Sequence, residues 1–324
     1  MRSQLKIALL LCLAQCAAAQ GLFKGFFPDE NGTNPEALVQ QKVVTVTNIK
    51  DCADCPDMVV LPSGSFLMGS SVEEQSLASA AGTEGTAWEN PQHYVRVPSF
   101  AAGRYAVTKG EFAAFVRSSG YRTEAEQGDG CFMWTGKEWK KDAAYNWRNV
   151  DFAQGDDHPV VCVSWNDAQA YIQWLNRISG NSYRLFSEAE RQYAARGGTQ
   201  TAFWWGDSIT TSQANYNGTR SYNGSPKGQN RKATVPVKSF NANPFGLYDV
   251  HGNVWQWTQD CWHETYSGAP TDGSAWITGC IDNRRVRSGG SWGGYPGDVR
   301  SAFRGRQNPD YRNNRGGFRL ARDL

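Results

Sequence analysis

The sharpest chemical signal is the run Gly246-Leu247-Tyr248-Asp249-Val250-His251-Gly252-Asn253-Val254-Trp255-Gln256-Trp257. The Asp249 carboxylate, the carbonyls of Gly252 and Val254 and the Gln256 amide oxygen are hard donors on a glycine-containing turn, which suits Ca2+. The same residues read equally as an Asx-type turn between strands, with Trp255 and Trp257 as core anchors. The four histidines, His93, His158, His251 and His263, have no close pair at metal-ligand spacing and read as hydrogen-bonded structural residues. His251, in the polar turn, is the best placed of them for a metal. Further on, Arg287-Ser288-Gly289-Gly290-Ser291-Trp292-Gly293-Gly294 opens a polar stretch holding Arg300, Arg304, Arg306, Arg312, Arg315 and Arg319. Interleaved with Asn and Tyr, these arginines form either a polar binding face or a solvated surface tied down by carboxylates, and the second is the expectation for any single one. No phosphate-binding Gly-x-x-x-x-Gly-Lys loop and no His-Glu-x-x-His is present.

The cysteines depend on the N-terminus. Arg2 and Lys6 precede an apolar run from Ile7 to Leu13, and Ala17-Ala18-Ala19 precedes Gln20. This is the pattern of a secretory signal peptide over residues 1–19, with an apolar run too short to span a membrane. The expected location is therefore periplasmic or secreted. A lipoprotein form at Leu13-Ala14-Gln15-Cys16 fits poorly, because Gln precedes the cysteine. Cys12 and Cys16 leave with the signal; Cys52, Cys55, Cys131, Cys162, Cys261 and Cys280 remain. An even count in an exported protein reads as disulfides, and spacing alone does not choose the pairing. The preferred set is Cys52–Cys55, Cys131–Cys162 and Cys261–Cys280. A zinc site is disfavoured because Cys52-x-x-Cys55 has no second pair, and a thioredoxin-like motif because a strand pattern follows instead of a helix.

The elements that must position these residues show local signatures. Thr108-x-x-Glu111, Ser164-x-x-Asp167 and Ser187-x-x-Glu190 are capping boxes, each followed by apolar residues at helical spacing. Met58 to Pro62 and Phe66 to Gly69 predict a short hairpin with Gly64 in its turn, and Tyr94 to Val97 alternates as a strand. After about residue 200 the helical signal stops and Gly, Asn and Trp dominate. The expected architecture is a signal peptide (1–19), an extended leader (20–55) and one loop-rich α+β domain (56–324). Thirteen Trp and 34 Gly support that reading, with indoles as anchors and glycines in tight turns. Lys+Arg number 33 against 31 Asp+Glu, and loss of Arg2 and Lys6 leaves the mature chain formally neutral, which argues against nucleic acid as a partner. A monomer is expected.

These motifs together resemble the formylglycine-generating enzyme, or sulfatase-modifying factor, superfamily. The landmarks run in order from Met58-Val59-Val60-Leu61-Pro62-x-Gly64 through Glu89-x-Pro91-x-His93, Ser164-Trp165-x-Asp167-Ala168, Arg184-Leu185-x-x-Glu188-Ala189-Glu190 and Ala194-Ala195-Arg196-Gly197-Gly198. They continue through Asn243-x-Phe245-Gly246-Leu247-Tyr248-Asp249, Gly252-Asn253-Val254-Trp255 and Gly289-Gly290-Ser291-Trp292 to Gly317-Phe318-Arg319. The resemblance implies a fold related to C-type lectins. It also implies a copper-holding cysteine pair shortly after the Gly-Gly-Ser-aromatic motif, but those positions align with Gly294 and Val299, which bind no metal. Ser291, Trp292 and Arg304 are the candidate catalytic residues left around the motif. The family's calcium positions carry over in part. The first is Asn215, the Tyr216 carbonyl and Gln229, where an acid is usual. The second is Asp249, the carbonyls of Gly252 and Val254, and Gln256, where Glu is usual. Fewer charges imply weaker calcium at both. Arg191 stands where this helix usually carries Trp.

Several branches of the superfamily lack the cysteine pair. This chain is similar to the periplasmic pyoverdine-maturation branch, which acts in oxidising a siderophore chromophore. The sulfoxide-synthase branch carries a His-rich iron domain that is absent here, and retroelement-diversified receptors share an Arg/Asn/Tyr-rich C-terminal segment. Two functions follow: an exported oxidative-maturation oxidoreductase acting on a protein, peptide or siderophore-like substrate with an unknown redox metal, or a non-catalytic binding or scaffold module on the same fold.

Overall fold

The computed structural model describes residues 47–324; the signal-peptide reading and most of the leader lie outside them. The N-terminal elements are β1 (Thr47–Ile49), β2 (Met58–Leu61), β3 (Gly64–Met68), α1 (Val72–Ala80), β4 (His93–Val97) and β5 (Phe100–Gly103). Next come α2 (Lys109–Ser119), α3 (Glu124–Gln127), β6 (Cys131–Trp134), β7 (Trp139–Asp142), α4 (Trp165–Ser179), β8 (Tyr183–Leu185) and α5 (Glu188–Arg196). The chain then runs through long loops to β9 (Trp255–Cys261), β10 (Arg285–Ser288), β11 (Arg304–Gln307), β12 (Gly316–Phe318) and β13 (Leu320–Arg322). As the periodicity implied, no α-helix follows Arg196 among the described residues.

The helix starts form as their sequence dictates. Thr108 Oγ1 accepts from Glu111 N at 3.1 Å while Thr108 N donates to the Glu111 carboxylate at 2.7 Å. Ser164 with Asp167 and Ser187 with Glu190 repeat the exchange. A fourth box, Thr123 with Glu126, opens α3. On α4 the apolar face Ala168, Tyr171, Ile172 and Leu175 recurs at helical spacing and packs against Phe112 and Phe115 of α2. Leu185 and Leu320 of the sheet, with Trp257 and Phe318, complete this core. Each such buried side chain contributes about 1.5–3 kcal/mol.

The larger sheet has the order β1-β2-β5-β13-β8, antiparallel throughout. The second has the order β11-β10-β9-β12, and its β9–β12 pair is parallel. The expected hairpin of residues 58–69 does not form. An apolar run specifies a strand but not its partner, and here β2 pairs with β1 and β5 while β3 crosses to a separate ribbon with β4, Phe66 opposite Val95. Residues 47–55, assigned to the leader from sequence, supply β1 and a disulfide whose Cys55 is part of the core. The pairs are Cys52–Cys55, Cys131–Cys162 and Cys261–Cys280, the preferred set.

Four of the C-terminal arginines, Arg300, Arg304, Arg312 and Arg319, are buried instead of lying on a solvated surface. Arg300 is fully buried, its guanidinium gripping Glu89 at 2.6 and 3.0 Å and Glu74 at 2.7 Å. Arg304 is buried on Glu188, and Arg312 and Arg319 end on backbone carbonyls and nearby side chains. They hold loops together where regular ladders are few.

Candidate functional site

A cleft of about 530 Å3 opens beside the Gly289–Gly294 loop, with Trp134, Trp139, Trp292, Asp151, Asn314 and Arg315 in its wall. The loop is fixed from both sides. Gly252 N donates to Gly289 O at 2.7 Å, Trp292 N to Asn253 O at 2.9 Å, and Trp292 Nε1 to Asn314 O at 3.1 Å. Trp134 and Trp139 end the two strands of the β6–β7 hairpin, ring centroids 5.7 Å apart, and Trp134 is 46% exposed. The Arg315 guanidinium lies 4.6 Å from the ring centroids of both Trp139 and Trp292. Its Nε is buried without a partner, and burial holds its pKa below the usual arginine range. Gly293 makes this approach possible, because a Cβ there would collide with the guanidinium.

Of the three catalytic candidates, the structure places only Trp292 in the cleft wall. Ser291 is buried, with its Oγ unpartnered. Arg304 is elsewhere, paired with Glu188 and stacked on Trp262 and Tyr266. Sequence reasoning missed Trp134, Trp139 and Asp151 entirely. The available signal was a pair of tryptophans flanking Thr135-Gly136-Lys137-Glu138, a turn-like spacer.

The residues of the second calcium position come together, but they do not fit a calcium ion. Gln256 Oε1 accepts from Arg191 Nε at 2.9 Å and from Arg319 Nε at 3.2 Å. Arg191 Nη2 also donates to Val250 O at 2.6 Å, and Arg319 Nη2 to Asp249 O at 3.2 Å. Two guanidiniums therefore already supply positive charge there and take the Gln256 oxygen. Burial lowers Arg191 to about 9 and Arg319 to about 10. Burial likewise pushes the Asp249 carboxyl up to about 6, its Oδ2 taking the Lys238 N–H while Oδ1 has no partner. The readable signal was the paired change, Arg191 for Trp and Gln256 for Glu. Gly289, at φ +90°, leaves room for the Arg191 guanidinium.

The first position fits better. Asn215 is fully buried, and its Oδ1 has no partner while Nδ2 donates to Ala233 O and Asn253 Oδ1. Tyr216 follows with its ring buried, and Gln229 is exposed, its backbone tied to Thr211 and Gly218. This donor set carries no formal charge. Among the described residues no group of three or more His, Cys, Asp or Glu is arranged to hold a metal. His251, the best-placed histidine, is used structurally: Nδ1 meets Val299 O at 2.8 Å and Nε2 accepts from Trp204 N.

The chain matches the sulfatase-modifying factor enzyme 1-like domain over residues 45–324. It is 34% identical over 295 residues to the formylglycine-generating enzyme of Streptomyces coelicolor, covering 82% of this chain and 88% of that protein. It is also 34% identical over 258 residues to the inactive C-alpha-formylglycine-generating enzyme 2 of Mus musculus, covering 69% of this chain and 76% of that one. Among solved structures, PvdO from Pseudomonas aeruginosa superposes with a TM-score of 0.70 at 37% identity, covering 86% of this chain and 98% of that one. Treponema denticola variable protein 1, at 19% identity and a TM-score of 0.57, shares the fold.

Proposed function

From the premise that this chain belongs to the sulfatase-modifying factor enzyme 1-like family, we propose that it is an exported oxidative-maturation enzyme that works without the family's copper–thiolate pair. One observation carries the reading: all six cysteines among the described residues are in disulfides, so the cleft has no thiolate for copper or for exchange with a substrate thiol. Gly294 lies between the cleft residues Gly293 and Tyr295, and Val299 is packed in an apolar cluster with Phe203 and Tyr222. The similarity to PvdO supports a role outside formylglycine formation, and an inactive relative shows that family members need not make it. Three disulfides favour an oxidising compartment. Calcium belongs to the proposal at the first position alone, where the orphaned Asn215 Oδ1 supports it. A melting temperature raised by calcium over chelator checks that assignment.

The test is direct. Purified protein is incubated with a Cys-x-Pro-x-Arg peptide and oxygen, with and without added copper, and mass spectrometry is expected to find no aldehyde; product at the rate of a two-cysteine relative would overturn the reading. A second reading, a binding module without turnover, is favoured by the absence of His and Cys from the cleft wall. A redox metal retained through purification supports the enzyme; capture of a ligand that is recovered unchanged supports the module.

A further inference from the structure

We propose that the tryptophan cleft binds an aromatic carboxylate, its ring against Trp134 and Trp139 and its carboxylate on the edge of Arg315. This rests on the preceding reading only in taking the cleft as the site; it holds for an enzyme or a binding module alike.

Arg300, Arg304, Arg312 and Arg319 are buried, and each has carboxylates or carbonyls on its guanidinium. Arg315 is held between two indole faces and forms no ion pair among the described residues. Asp151, the acid in the cleft wall, attracts Arg315 through space but forms no ion pair with it, its Oδ1 taking the Asn314 amide at 2.8 Å. A partly desolvated cation without an acceptor is unfavourable until an anion completes it. Two further cations raise the local potential. Arg287 stacks on Trp255 and Tyr311, close enough to Arg315 to depress its own pKa beyond what burial does, and Lys232 stands at the cleft edge.

Geometry narrows the anion. The Arg315 guanidinium lies over the Trp139 and Trp292 rings and its Nε is buried, so the edge bearing its terminal Nη groups is what a ligand can reach. That edge matches a planar carboxylate, which accepts two parallel hydrogen bonds. The neighbouring surface is aromatic: Trp134 is nearly half exposed at the mouth, next to Trp139. Indole faces favour stacked rings over flexible chains. A flat ring bearing a carboxylate satisfies both.

The experiment compares naphthalene-2-carboxylate with neutral naphthalene-2-carboxamide, titrated into the full-length mature protein and read by tryptophan quenching and calorimetry. The carboxylate is expected to bind about tenfold or more tightly than the amide, the gain typical of a charge-assisted pair. Arg315→Gln is expected to remove that preference. Gly293→Ala is expected to reduce it while keeping the charge, because the new Cβ displaces the guanidinium. Trp134→Ala, at an exposed position, is expected to weaken both probes alike and leave the melting temperature near wild type. Equal binding of the two probes, no binding of either, or a preference that survives Arg315→Gln would overturn the assignment. Failure of the oxidative reading would instead appear in the peptide assay, which these titrations do not touch.

Discussion

Converting Gln256 to Glu puts a carboxylate where two buried guanidiniums already converge. Arg191 and Arg319 approach Oε1 at 2.9 and 3.2 Å. At an effective dielectric of about 20, each new ion pair at roughly 3 Å is worth about 5 kcal/mol of gross attraction. Burying the carboxylate takes back several kcal/mol. The weak Gln256 Nε2 contact to Asp249 O, at 3.5 Å, is exchanged for two opposed oxygens, a loss of about 1–2 kcal/mol. The balance is a stabilisation of about 1–3 kcal/mol, which at roughly 2–4 °C per kcal/mol raises the melting temperature by about 2–12 °C. Thermal melts of wild type and Gln256→Glu, each in calcium and in chelator, read the effect. If the guanidiniums stand in for a metal, the gain is the same in both solutions. A gain confined to calcium would mean that the ion displaces both arginines, and a loss in both would mean that desolvation outweighs the pairing; either refutes the reasoning.

Three further outcomes are expected. Glu89→Gln weakens the buried bidentate pair with Arg300 and should cost about 3–5 kcal/mol in urea unfolding, with an unchanged denaturant slope. Burial and the neighbouring Glu188 push Asp260 up to about 7, and burial lowers His251 to about 3, helped by Arg191 and Arg196. Asp260 therefore contributes stability below about pH 4 that is lost as pH rises through 7, whereas His251 contributes above about 6.5 what is lost as pH falls toward 3. The two oppose each other between about pH 4 and 6.5, so His251→Gln should uncover a rise in stability on acidification there; a slope identical to wild type would remove His251 as the counterweight. Replacing Cys131 and Cys162 together by Ala, which opens a loop of 31-residue separation, should cost about 2–4 kcal/mol, measured by denaturation under oxidising conditions.

What the sequence made legible was local. A capping box needs only four consecutive residues, so Thr108, Ser164 and Ser187 were readable and form as expected. The family landmarks spread through the chain fixed the fold. Partner choice was not readable: β3 reads like half of a hairpin with β2, but its partner β4 lies beyond α1. The arginines failed for the same reason, since nothing near Arg300 announces Glu89, 211 residues earlier. The cleft is assembled from the β6–β7 hairpin, the Gly289–Gly294 loop and Arg315, three segments whose juxtaposition only the fold supplies.

The strand β13 lies between β5 and β8, with Ala321 opposite both Ala102 and Arg184. Without β13, β8 has no partner in the larger sheet and β5 keeps a free edge. The two pairings of β13 are the most distant in sequence of the strand pairs among the described residues, which slows closure of the sheet and lengthens the interval open to edge-to-edge association. Yield of the native protein should then depend on how the nascent chain is shielded more than on how stable the finished fold is. A substitution that weakens the Leu320–Arg322 pairings would act on the timing of assembly without touching the cleft lining.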